Sequence, residues 1–330
     1  MTEKKPSIKD VASRAGVSYT TVSHVINKTR YVSPEVEARV RAAMSELNYR
    51  RNIIAQSLRK NRSKAIGIIV PSLSYDFYVR VINGIEEELY KHHYNISLAC
   101  SKEDPDVERN QIAMFASWQV DGIVVAPTGQ SFAAANPGGL CDCPVVCIDR
   151  IPSDVATDSV ETNCREVSRE IVRTLVQKGH RDIAFATCRP DLYPSYERME
   201  GYKELQREMC LPAHEPYVLE PTLEDGEMLA KRVLEQGKIT ALLIDNLQLT
   251  VGAMRYFSKM KVDIPRRMAV ASYDDSIWAN VIAPPLTAVH QDAEEFGRQA
   301  ARLLMDRIES PDMNSRRLVL KGDVIWRSTT

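Results

Sequence analysis

At Lys64 the spacing of apolar residues changes period, and that change limits what this chain can fold into. Before it, apolar residues recur every three or four positions in short runs. From Ala65 onward, β-branched runs alternate with longer stretches of helical spacing. Such alternation is the pattern of parallel sheets whose strands are joined by crossover helices. The spacing predicts strands at 65–71, 96–100, 122–126, 145–149, 182–187, 217–220, 241–245 and 268–273. Helices are predicted at 76–92, 107–119, 165–178, 196–208, 224–236, 249–260 and 294–308, the last preceding the final strands. That inventory suits two doubly wound lobes behind a small helical head.

Length and charge agree with this division. A chain of 330 residues exceeds the roughly 100 to 200 residues of one domain. Residues 1–64 carry 14 Lys and Arg against 5 Asp and Glu, a balance of +9, whereas the remainder carries 29 against 39, a balance of −10. A basic head on an acidic body is the layout expected when one end meets a polyanion. No run of 18 apolar residues occurs and the N-terminus is polar from Met1 to Ser7, so a cytoplasmic protein with no membrane partner is expected. The seven cysteines are odd in number and include no C-x-x-C, which indicates neither a disulfide framework nor a zinc ribbon; most of them read as small buried hydrophobes.

The head reads as three short helices. Ser7 and Asp10 form a capping pattern ahead of Ile8, Val11, Ala12 and Ala15, and Gly16-Val17-Ser18 supplies a turn and the next cap. A second helix then starts at Tyr19. With Val22, Val25 and Ile26 inward, Thr20, His24 and Asn27 form an outward stripe free of carboxylates, suited to donors and acceptors on base edges. Ser33-Pro34-Glu35 announces a third helix lined by Val36, Val40, Ala43, Met44 and Leu47. Two helices at a glycine-containing turn make a helix-turn-helix, whose second helix enters the major groove. Three merely packed helices would be the bland alternative.

The segment Ile8-Lys9-Asp10-Val11-Ala12, Ala15-Gly16-Val17-Ser18 and Thr21-Val22-Ser23-His24-Val25-Ile26-Asn27 strongly resembles the head of the LacI/GalR family of bacterial repressors, most closely that of purine-responsive members. The resemblance spans essentially the whole chain. It implies a helix-turn-helix domain over 1–50, with DNA contacts from Ser18, Tyr19, Thr20, Thr21, Ser23, His24, Asn27, Arg30 and Ser33. It implies a hinge over 51–64 whose helix lies in the minor groove through Ala55, Leu58 and Arg59, Leu58 wedging between base pairs. On spacing alone Leu58 reads as a core leucine, but the basic residues around it make a poor core.

For the body, the resemblance implies the periplasmic-binding-protein architecture over 65–330, an N-subdomain of about 65–161 plus 292–320 and a C-subdomain of about 162–291 plus 321–330. Ligands of open α/β sheets bind beyond the carboxyl ends of strands, which puts an effector between the lobes. Ser72, Ser74, Asp76 and Phe77 follow the first strand, and Asp149-Arg150 ends the fourth. Arg198, Asn246, Asp274 and Gln291 complete the set that the family pattern implies. Each has a plainer reading as a loop ion pair or helix cap. The chain also departs from the pattern: Leu247 replaces a frequent Asp, and Arg150 stands where purine-binding members carry an aromatic residue. A sugar or sugar derivative is therefore expected ahead of a purine.

An enzyme of the dinucleotide-binding kind is the competing class, and its signatures are missing. Neither G-x-G-x-x-G nor G-x-x-x-x-G-K-[ST] occurs, and no H-E-x-x-H accompanies the six histidines, so neither cofactor nor metal is expected. A transport binding protein would need a signal peptide and no DNA head. The expectation is a homodimeric repressor of operator DNA answering to a small effector. Its basic contacts predict that operator affinity falls steeply with salt, checked as a negative slope of log K against log salt concentration.

Overall fold

Ser7 and Asp10 start the first helix by capping each other: the Ser7 amide donates to Asp10 Oδ2 at 2.7 Å and the Asp10 amide donates to Ser7 Oγ at 3.4 Å. This computed structural model describes residues 6–28, 30–49, 62–129, 141–154 and 156–330. The chain divides into two units, Met1–Ser63 and Lys64–Thr330. In the first, helix α1 (Ile8–Ala15) stops at Gly16, whose φ of 63° belongs to the left-handed region that glycine tolerates. Helices α2 (Tyr19–Asn27) and α3 (Pro34–Glu46) follow. Val11, Ala15, Val22, Val25, Val40 and Ala43 form their shared core. Arg39 on α3 donates to the Ala15 carbonyl at 2.7 Å and the Gly16 carbonyl at 3.0 Å, which holds the turn between α1 and α2. The hinge positions Ala55, Leu58 and Arg59 lie outside the described residues.

Among the described residues, the second unit has two six-stranded sheets of matching order. The first runs β2 (Asn95–Cys100), β1 (Ala65–Val70), β3 (Gly122–Val125), β4 (Val145–Ile148), β5 (Asp158–Thr162), β11 (Arg317–Leu320). The second runs β7 (Tyr217–Val218), β6 (Ile183–Thr187), β8 (Ala241–Ile244), β9 (Ala269–Tyr273), β10 (Thr287–His290), β12 (Asp323–Ile325). Every pairing is parallel except that of β12 with β10. Helices α4 (Asp76–Lys91) and α11 (Ala293–Glu309) cover one face of the first sheet, whose other face carries α5 (Pro105–Ser117). On the second sheet, α6 (Cys164–Gln177) and α7 (Tyr193–Glu208) lie on one face, with α8 (Leu223–Gln236) and α9 (Leu247–Lys259) on the other. A single turn, α10 (Trp278–Val281), precedes β10.

Three departures from the sequence pattern have local causes. Helices α5, α7 and α9 start two or three residues before the periodicity does. Asp104 caps α5 by accepting from the Asp106 and Val107 amides, Asn246 caps α9 by accepting from the Leu249 amide, and proline occupies the first turn of α5 and α7. Strand β5 is buried although its sequence is polar, because Arg307 donates to both Asp158 oxygens at 2.8 and 3.0 Å and Arg317 pairs with Glu161. Cys141 and Cys143, where the sequence indicates no disulfide framework, are joined to each other: a Cα separation of 5.3 Å across one intervening residue is within disulfide reach.

Helix pairs meet at glycine. A Cβ on Gly84 of α4 would lie 2.0 Å from the Glu294 carbonyl oxygen, and one on Gly297 of α11 would lie 2.0 Å from that of Val81. Backbone cannot yield there as a flexible side chain can. Gly84→Ala is expected to cost about 1–3 kcal/mol by overpacking, measured as a lower urea midpoint with unchanged m-value; an unchanged midpoint would show that the pair has room to part.

Candidate functional site

The outward face of α2 is built by its own cap. Ser18 Oγ accepts from the Thr21 amide at 3.0 Å and lies within hydrogen-bond distance of the Thr20 and Thr21 hydroxyls, at 2.9 and 2.8 Å, so three hydroxyls gather at the helix N-terminus. Such a terminus presents backbone amides and positive potential to an anion. Val22 and Val25 are buried, whereas Ser18, Thr20 and Asn27 are exposed and Tyr19, Thr21, Ser23 and His24 are half-buried. Asn27 donates to the Ser23 carbonyl at 2.9 Å and to its hydroxyl at 3.1 Å, which fixes the far end of the stripe. Arg30 and Ser33 are exposed on the connection to α3.

In the body, strand ends of both sheets line a cleft of about 1040 Å³ counted out to its open mouth. Phe77, Asp149, Arg150, Arg198, Asn246, Asp274 and Gln291 all line it. Ser74 and Asp76 line an adjoining recess of about 620 Å³ that shares Phe77, Asn246, Asp274 and Gln291. Ser72 lines neither; its hydroxyl accepts from the Ser74 amide at 3.1 Å. Asn246 holds its Oδ1 on the α9 cap.

Asp149 and Asp274 occupy equivalent places. Each follows the fourth strand of its sheet's order, β4 or β9, and each has a left-handed backbone, with φ of 63° and 66°. Such a backbone is uncommon outside glycine and costs conformational energy, which marks both positions as held by their surroundings. The Tyr78 hydroxyl donates to Asp149 at 2.7 Å, and Gln291 donates to Asp274 at 3.3 Å while its carbonyl accepts from Thr162 at 2.8 Å. Arg198 is buried, lies 4.0 Å above the Tyr273 ring and donates to the Asp245 carbonyl at 3.1 Å. Among the described residues its Nε has no hydrogen-bond partner.

Burial raises the Asp274 carboxyl above the ordinary aspartate range; Arg198 opposes that shift, while Asp149 and Asp245 add to it. Asp245, buried and accepting from Thr187 at 2.7 Å, is raised for the same first reason. The cleft thus gathers carboxylates, a stacked guanidinium and the Phe77 ring, which together suit a compact ligand rich in hydrogen-bond donors.

The structure adds Tyr75, Tyr78, Glu103, Cys188, Arg189, Ser195, Glu220 and Asp245 to the wall. Cys188, Arg189, Glu220 and Asp245 follow β6, β7 and β8, so a strand-end rule applied to every strand finds them. Tyr75 and Tyr78 carry no such signal, because aromatic residues at a helix start read equally as core. Among the described residues, no group of three or more His, Cys, Asp or Glu side chains is disposed to hold a metal ion, and no helix is long and apolar enough to cross a membrane.

Residues 7–52 match the family model described as bacterial regulatory proteins, lacI family, and residues 145–330 match that of the periplasmic binding protein-like domain. The HTH-type transcriptional repressor PurR of Haemophilus influenzae is 33% identical over 310 residues, covering 93% of this chain and 92% of the relative. The Lac repressor dimer bound to operator and the anti-inducer ONPF shares the fold, with a TM-score of 0.89 at 24% identity over 99% of both chains. The complex of the transcriptional regulator CelR with cellobiose superposes with a TM-score of 0.73 at 26% identity, over 98% of this chain and all of that one.

The raised Asp274 carboxyl has a consequence for stability. Its proton leaves at lower pH in the unfolded chain than in the fold, so over that interval the unfolded state binds fewer protons and stability falls as pH rises. Asp274→Asn keeps an oxygen for Gln291 and removes the charge. The ligand-free variant is expected to unfold at higher temperature than the parent at neutral pH, with the difference vanishing below about pH 4. Equal melting temperatures at pH 7 would show that the carboxylate is not strained.

Proposed function

Because this chain belongs to the lacI family of bacterial regulatory proteins, and is thus a DNA-binding transcriptional repressor governed by a small molecule rather than an enzyme, we propose that its effector is a sugar or sugar derivative held in the cleft between the two lobes. The observation that carries this reading is the pairing of Asp149 and Asp274 around Arg198 and Phe77. Carboxylates and a guanidinium bond ring hydroxyls, and an aromatic face packs against the C–H side of a sugar. CelR, with its cellobiose, supports the same chemistry. A purine is the second reading, favoured by the identity to PurR; against it, Arg150 stands where purine-binding members carry an aromatic residue, and its fork is engaged by Glu103.

The repressor acts as a homodimer on a palindromic site, each head presenting Tyr19, Thr20 and His24 to a major groove while the hinge residues Ala55, Leu58 and Arg59 serve the minor groove. Ligand in the cleft favours one degree of lobe closure over another, and that preference is coupled to operator affinity.

The test uses the full chain, a duplex selected by the protein from a random library, and a thermal-shift screen of sugars, sugar acids and purine bases. A ligand that raises stability by mass action identifies the effector class. Asp274→Ala is expected to abolish both the shift and the ligand's effect on DNA, leaving ligand-free operator affinity in place. His24→Ala should weaken operator binding roughly tenfold with the ligand response intact, a base-edge contact contributing about 1–3 kcal/mol. A fragment 64–330 that bound the duplex as well as the full chain would contradict the reading.

A further inference from the structure

The basic groups of the cleft are not equally available to a ligand. Arg150 is buried, and both its terminal nitrogens go to one carboxylate, that of Glu103, at 2.7 and 2.8 Å; Nη1 also reaches the Pro127 carbonyl at 3.2 Å. Glu103 stands three residues beyond β2 on a left-handed backbone with φ of 59°. Its Oε2 lies 3.8 Å from Nη1 of Arg189, which follows β6 in the other lobe. Arg189 is itself bracketed on its second edge by Asp191, at 2.9 and 2.7 Å. One carboxylate thus sits between a guanidinium of each lobe.

We propose that Glu103 is a specificity-determining residue of the cleft: it fills the anion subsite that Arg150 and Arg189 would otherwise form, and so restricts the effector to ligands without a phosphate or carboxylate at that end. The proposal rests on the reading of the cleft as the effector site and deepens it. Two guanidiniums facing one space are the arrangement that grips phosphate and carboxylate, because each fork matches two oxygens. With Glu103 in place the fork of Arg150 is spent within the protein. The wall also carries Asp149, Glu220, Asp245 and Asp274, so an anionic ligand meets further carboxyl groups there and no unspent fork of Arg150. A built-in like charge discriminates by penalising the excluded ligand, alongside the contacts that favour the preferred one.

The experiment compares the full chain with Glu103→Gln, which keeps size and one acceptor oxygen while removing the charge, and with Glu103→Ala, which also opens the space. The probe is inorganic phosphate, titrated at ionic strength matched with chloride and read by melting temperature and equilibrium binding. The parent is expected to melt alike in both salts. Both variants are expected to bind phosphate roughly tenfold tighter than the parent, and adding Arg150→Gln should abolish the gain. A parent that binds phosphate as tightly as the variants, variants that gain nothing, or a gain that survives Arg150→Gln would each overturn the proposal. Phosphate is not the effector here, so the comparison stands apart from the sugar response; loss of the Asp274-dependent sugar shift would count against the cleft reading alone.

Discussion

Parallel pairing brings the carboxyl ends of the strands in each sheet, β12 excepted, to one edge, and the chemistry of this body depends on that constraint. The two sheets share one strand order, so a residue just past a strand in one lobe has a counterpart in the other. Asp149 and Asp274 are such a pair, matched down to their left-handed backbones. Neither would be placed so by local preference. The left-handed conformation and the nearness of like charges are both unfavourable, and the packed sheets behind them hold the arrangement against that cost.

The same constraint explains how charge is managed away from the cleft. Strand β5 runs polar through the interior because arginines on α11 and β11 reach its carboxylates, and each buried charge keeps a partner. Close helix packing supplies the rest of the rigidity. At Gly84, Gly297, Gly226 and Gly252 one helix backbone approaches another where no side chain fits. Two stiff lobes joined by several chain crossings are suited to opening and closing as bodies.

Much of this was legible in the sequence where a physical signal was strong. The capping pair Ser7 and Asp10, the turn at Gly16 and the buried Val22 and Val25 follow from short-range rules, and the structure has them as read. Most body strands were visible as β-branched runs. The features that escaped were written in tertiary terms. Strand β5 has no apolar run because its burial rests on Arg307 and Arg317, far along the chain. Strand β10 is a short segment beside prolines. In the cleft, Phe77, Asp149, Arg198 and Asp274 were found through strand ends and family motifs, whereas the role of Glu103 depends on two arginines, one 47 residues away, that only the fold brings to it.

The central claim is that one ligand in the cleft and one duplex on the head share a coupling free energy. Thermodynamic linkage requires the coupling to be reciprocal: the factor by which saturating effector changes operator affinity must equal the factor by which saturating operator changes effector affinity. The direct measurement is a double titration of the full chain, with operator binding followed by fluorescence anisotropy at zero and saturating effector, and effector binding followed by calorimetry with and without operator. Equal factors, both different from one, are the predicted result. An effector affinity unmoved by saturating operator would contradict the account.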